Sequence, residues 1–168
     1  MELVELGRLT PEDRAQLEGD EADPFGAAGN ELTWQRKDRH VALKHDGRLV
    51  ASTGLVIVDV EVAQELFPVA GLGGVIVARA HRGQGLMRRV VEAALELAAT
   101  LGPERALLFC SEENSRRYAR FGFQPLAAAV VADQPDGTAE MGEVCMWRPL
   151  RPGAGWPDGP VRLLGLPF

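Results

Sequence analysis

The chain has 168 residues, with 18 basic against 24 acidic side chains for a formal net charge of −6, and is 46% hydrophobic and 25% charged. That length and mix fit a single domain with its own core and exclude a disordered chain. The acidic balance argues against a nucleic-acid partner, which needs a basic face, and leaves a neutral or cationic ligand as the expectation.

Glu2 to Leu9 reads as a first strand, and Thr10-Pro11-Glu12-Asp13 as a helix start, with Thr10 the N-cap and Pro11 at the first helical position. Residues 20–31 are acidic and broken by Pro24, Gly26 and Gly29, as in a loop or short helix. Val41–Leu43 and Leu49–Ala51 flank an Asp46-Gly47 turn, which predicts a hairpin, and Leu55 to Val62 continues as a strand. Leu66 to Ala78 is the longest uncharged run, but its 13 residues include Pro68 and three glycines. A membrane helix needs about 20 apolar residues, so no membrane association is expected.

Val75-Ile76-Val77 reads as a buried strand, followed by a Gly-rich turn at residues 83–85. From Leu86 to Leu101, Met87, Val91, Ala94, Ala98 and Leu101 recur at three- and four-residue steps, which predicts an amphipathic helix stopped by Gly102 and Pro103. Ala106–Cys110 is a further buried strand, and Ser111 caps a short helix carrying Tyr118 and Phe121. Residues 126–132 and 141–147 are expected as two more strands around Gln134-Pro135-Asp136-Gly137. The order predicts a mixed α/β (α+β) domain over residues 1–150, with a strand–helix–strand crossover at 74–110. Residues 151–168 form a Pro- and Gly-rich tail, read as irregular chain whose apolar end docks on the same domain.

Cys110 and Cys145 form no close pair, and His40, His45 and His81 do not cluster with them, so neither a disulfide framework nor a metal is expected. The acidic first residues do not read as a secretory signal, and a reduced cytoplasm is the expected setting.

The turn Arg82-Gly83-Gln84-Gly85-Leu86-Met87 lies between strand and helix. Its glycines would let an anion approach the backbone, and the first helical N–H groups and Arg82 would meet it. A plain turn with a solvated arginine fits the same residues. It is not a P-loop, since no Gly-Lys-Ser/Thr follows, and Arg88 replaces the third glycine of a dinucleotide fingerprint.

Val77-Ala78-Arg79-Ala80-His81-Arg82-Gly83-Gln84-Gly85-Leu86-Met87 resembles the acetyl-CoA motif of the GNAT superfamily of N-acetyltransferases, with Met87 where the family prefers Gly or Ala. Ser111 to Phe123, with Asn114, Tyr118 and Phe121-Gly122-Phe123, resembles the same family's tyrosine helix and its Gly-Phe ending. The likeness spans about residues 40–130, and the Arg-Gly-x-Gly-Leu-Met segment is most similar to bacterial aminoglycoside N-acetyltransferases.

The resemblance implies a GNAT-like fold, a central, mostly antiparallel mixed sheet flanked by helices, and an amine that attacks acetyl-CoA directly in a ternary complex. It implies a small-molecule amine as acceptor, with a protein N-terminus or lysine as the alternative acceptor and a CoA-binding sensor as the non-enzymatic one. A homodimer is a further implied arrangement. By the same resemblance, Arg82, Gly83, Gln84, Gly85, Leu86 and Met87 hold the pyrophosphate, with Asn114 and Tyr118 also on the cofactor. Val75, Ile76 and Val77 pair with the pantetheine arm, the Val77 N–H receives the oxyanion, and Tyr118 protonates the leaving thiolate. Many relatives carry a carboxylate on the strand before Val77, where this chain has Gly71-Leu72-Gly73-Gly74. The base is therefore open among Asp59, Glu61, Glu112, Glu113, an ordered water and the terminal carboxylate of Phe168. Trp34 falls in the region that covers the acceptor in relatives and, with Asp59, Glu61 and Glu112, is a candidate for acceptor binding; a core tryptophan and solvated acids fit equally.

Overall fold

A computed structural model describes all 168 residues. The strands are β1 (Glu2–Leu6), β2 (Arg39–His45), β3 (Arg48–Val62), β4 (Glu65–Val77), β5 (Arg105–Cys110), β6 (Gln124–Pro125), β7 (Val130–Gln134), β8 (Gly137–Glu140), β9 (Val144–Pro149) and β10 (Val161–Leu163). The helices are α1 (Pro11–Glu18), α2 (Leu86–Thr100) and α3 (Glu112–Ala119), with a short 3-10 turn at Arg79–His81. No helix is long and apolar enough to cross a membrane.

All ten strands join one mixed, mostly antiparallel sheet. The 15-residue β3 organises it, because its two halves have different neighbours. Its first half pairs with β2, which carries β1 on its far side. Its last residues, Val60–Val62, pair instead with β10, and β7 and β8 follow. On the opposite edge β3 pairs with β4 along nearly its whole length, and β5, β9 and β6 complete the order.

Period-two alternation divides the side chains between the sheet's two faces. Leu55, Ala70, Leu72, Ala106, Leu108 and Met146 pack against α2 and α3. The apolar stripe of α2 closes over them with Val91, Ala94, Leu95 and Ala98. Val56, Val58, Val60, Val69, Leu107 and Trp147 form the second core on the other face, together with Val161, Leu163 and Phe168 from the chain end. The helix starts follow their local chemistry. Thr10 and Asp13 form a reciprocal capping box on α1, and Ser111 accepts the Asn114 N–H on α3.

Several expectations change. The tail is not merely irregular chain: Val161–Leu163 is a strand inserted between β3 and β7. Residues 126–129 lie outside any strand, and 141–147 is not a hairpin partner for the segment before it. Instead β7 and β8 close the hairpin through Pro135-Asp136, and the chain crosses the sheet to lay β9 against β5. The first strand ends at Leu6 rather than Leu9. Val75-Ile76-Val77 is a strand, but only Ile76 is buried. The two valines are half-exposed because β4 has lost its neighbour there.

Candidate active site

The parallel strands β4 and β5 pair at only three positions, Ala70–Ala106, Gly71–Leu107 and Leu72–Leu108. Beyond Leu72 each continues, to Val77 and to Cys110, without pairing to the other. The cause lies in β4. Ser52 is opposite Ile76 and Gly54 opposite Gly73, so the single residue Thr53 faces two, Gly74 and Val75. This bulge bends the strand, and Gly74 takes a left-handed φ of 62° that a side chain would disfavour. Ala78 N–H donates to Val50 O on β3. Alternation along the strand therefore turns the N–H of Val77 away from β3, into the gap.

The turn after β4 ends at the N-terminus of α2. Gly83 and Gly85 hold φ of 78° and 74°, and nothing crowds either one. No side chain caps α2 and no acid stands in its first turn, unlike α1 and α3. Its first N–H groups have no capping partner, and Gly83, Gln84 and Gly85 ahead of them form a strip of exposed backbone, suited to an anion. Arg82 folds across this strip, donating from Nε to Val77 O at 3.1 Å and from its terminal nitrogen to Glu21 at 2.5 Å. Met87 is half-buried and packs against the core that α2 and α3 share.

Tyr118 stands on the α2/α3 face of the gap, packed against Phe121 and Phe123 at ring distances of 6.5 and 6.2 Å. Burial, with Cys110 adding and Arg117 opposing, pushes its phenol up to about 12, so it stays protonated through the neutral range. Asn114 is half-buried on the first turn of the same helix.

On the other face the chain end closes in. Leu164 N–H donates to Asp59 O, Asp133 N–H to Gly165 O, and Gln35 N–H to Pro167 O. These bonds lead Phe168 onto β4, where a Cβ on Gly71 would lie 2.6 Å from its ring and one on Gly73 2.7 Å from its carboxyl carbon. Phe109 packs on Phe168 at 5.2 Å, and Trp34 meets Phe109 edge-on at 6.3 Å. Phe168 and Tyr118 therefore occupy opposite faces of the parted strands.

Glu112 lines an open cavity of about 620 Å³ where β5 ends, together with Glu31, Glu140 and Glu143 and no basic side chain. Glu113 points elsewhere, 3.9 Å from Arg117. Asp59 and Glu61 are not brought to the gap. They are exposed and pair across to Pro68 and Leu66, so Asp59 lies about 17 Å back along β4 from Gly73 at ~3.4 Å per residue.

One residue near the gap carries no sequence signal. Lys37 lies in a trough made by glycines of β3 and β4, its chain filling the space a side chain at Gly54 would take. Burial pushes its ammonium below the ordinary lysine range.

A family profile described as "Acetyltransferase (GNAT) family" matches residues 7–123. The chain belongs to the GNAT family. It is thereby an acyl-CoA-dependent acetyltransferase. Among solved structures, this GNAT chain is similar to the GNAT family N-acetyltransferase YhbS from Escherichia coli in complex with CoA, at 17% identity over 98% of this chain and 94% of that one, TM-score 0.62. It is also similar to a GNAT family acetyltransferase from Brucella melitensis in complex with acetyl-CoA, at 18% identity over 95% and 94%, TM-score 0.56. A GCN5-related N-acetyltransferase from Kribbella flavida aligns over 51% of this chain but only 21% of its own length, at 21% identity and TM-score 0.48. No curated protein matches in sequence.

Proposed function

We propose that this GNAT chain moves an acetyl group from acetyl-CoA to the primary amine of a small cationic molecule by direct attack in a ternary complex. The observation that carries the reading is the gap between β4 and β5, which has the uncapped start of α2 at one end and Tyr118 on one face. The CoA and acetyl-CoA in the two structures that align over most of both chains favour the same use of the gap.

In this reading Arg82 and the N–H groups of Gly83, Gln84, Gly85, Leu86 and Met87 hold the pyrophosphate. The pantetheine adds as an extra strand to the edge of Val75–Val77 that β5 leaves unpaired, sharing Val77 O with Arg82. The Val77 N–H, turned into the gap, receives the oxyanion, an interaction worth about 2.7–4 kcal/mol for one donor. Tyr118 supplies the proton for the leaving thiolate. For the base we take the carboxylate of Phe168, which lies by Gly73 on the face opposite Tyr118, with the Phe109 ring packed on the Phe168 ring and Trp34 edge-on to Phe109.

The four carboxylates around the neighbouring cavity favour an acceptor with several positive charges, such as an aminoglycoside-like or other polyamine. A thiol-release assay with acetyl-CoA tests this. Turnover is expected with polyamines and aminoglycosides, and its rate should fall as salt rises. Turnover confined to peptide N-termini or peptide lysines would replace the small-molecule acceptor. Tight CoA binding with no turnover on any amine would make the chain a sensor.

A further inference from the structure

Lys37 sits on the acceptor face of the gap without a counter-ion among the acidic side chains. Its Cε is 2.9 Å from where a Cβ on Gly73 would stand, and its Nζ 3.9 Å from that point on Gly74, at the bulge that parts β4 from β5. It takes part in none of the chain's seven ion pairs. The flanking segment is tied down, since Gln134 bonds both the N–H and the C=O of Thr33, and Gln35 bonds Pro167. The charged groups nearest Lys37 in sequence point elsewhere or are weak: Asp38 is held by Arg8, Arg36 is exposed, and His40, also in contact with the Gly54 trough, is driven toward its neutral form mainly by burial. What Lys37 lies against on β3 and β4 is Gly54, Gly73 and Gly74, none of which brings a charge. The carboxyl carbon of Phe168 and Cε of Lys37 both lie within 3.0 Å of the Cβ position of Gly73.

We propose that Lys37 is an internal acetyl acceptor, a self-modification site that takes the acetyl group when acetyl-CoA is bound and no external amine is present. This deepens the reading above, because it uses the same gap and the same acid. The uncharged Nζ attacks the thioester carbonyl carbon, a C–N bond forms and the C–S bond breaks. The departing thiolate takes the Tyr118 proton, which solvent restores, and the proton lost by the nitrogen passes to water. The product is a neutral amide lying along Gly73 and Gly74, where it fills the approach that an external amine would use. Burial supports the step by favouring the uncharged amine that can attack.

Lys37 and Lys44 are the only lysines, and a peptide map separates both from the α-amino group. The full chain is incubated with acetyl-CoA alone, and its intact mass and peptide map are followed. One acetyl group is expected on Lys37, formed at least ~10-fold faster than any on Lys44, and slowed ~10²-fold in Tyr118→Phe as for a lost general acid. Lys37→Arg should keep CoA binding by calorimetry, which shows that it folds, and should lose the mass gain. A chain that acetylates added amines yet leaves Lys37 unmodified overturns the inference while the proposed function stands. Equal labelling of Lys37 and Lys44, unchanged in denatured chain, overturns it as solution chemistry. Acetylation of Lys37 without turnover on any added amine upholds it and removes the small-molecule acceptor instead.

Discussion

The carboxyl carbon of Phe168 lies 2.7 Å from the position a Cβ on Gly73 would take, so the absence of a side chain at residue 73 is what lets the chain end reach the parted strands. If that carboxylate is the base, moving it by one residue removes it. A chain carrying one further residue after Phe168 should lose ~10²-fold in kcat at neutral pH, with CoA affinity unchanged by calorimetry. Unchanged turnover would transfer the role to water.

The ring of Phe168 makes a second, purely structural demand. A Cβ on Gly71 would stand 2.6–2.7 Å from three of its carbons, well inside contact distance. Gly71→Ala should therefore destabilise the fold by about 1–3 kcal/mol through overpacking, read as a lower urea midpoint at constant slope.

Tyr118→Phe should lower kcat by ~10²-fold or more and leave the KM for acetyl-CoA within about threefold. The same tyrosine couples to stability. Its proton is held more tightly when folded, with a pKa raised from 10 to about 12. That contribution is complete below pH 10 and is lost as pH rises toward 12, about 2–3 kcal/mol in all. Urea midpoints of the wild type should therefore fall more steeply above pH 10 than those of Tyr118→Phe.

Arg82 is committed before any ligand arrives, since Glu21 already holds its guanidinium. A diphosphate arriving at α2 must share or displace that carboxylate. Arg82→Ala should weaken CoA binding by about 10- to 100-fold, the range for a lost charged hydrogen bond. Glu21→Gln should instead tighten it, by removing a competing anion. Calorimetry at fixed ionic strength reads both, and weaker binding in Glu21→Gln would mean that Glu21 positions the arginine instead.

What the sequence made legible was local. The Thr10–Asp13 cap, the stripe of α2, the Arg82-Gly83-Gln84-Gly85 turn and the Ser111 cap of α3 each depend on residues within a few positions of one another. Asp59 and Glu61 misled because alternation shows that a face is wet without showing which end of the strand nears the site. The strand Val161–Leu163 was hidden because three residues between prolines and glycines carry no periodicity. Only the open edges of β3 and β7 make them a strand. Lys37 was hidden for a similar reason: its trough is built from Gly54, Gly73 and Gly74, which meet only once β3 and β4 pair. The glycines were visible, but what would fill the space above them was not.

CoA binding and catalysis both depend on the backbone amides at the start of α2. Amide chemical shifts, followed as CoA is added to saturation, test them most directly. The largest changes should fall on Gly83 to Met87 and on Val75 and Val77, and pantetheine, which lacks the diphosphate, should move only the valines. Amides at Gly83 to Met87 that stay in place at saturating CoA would contradict the account.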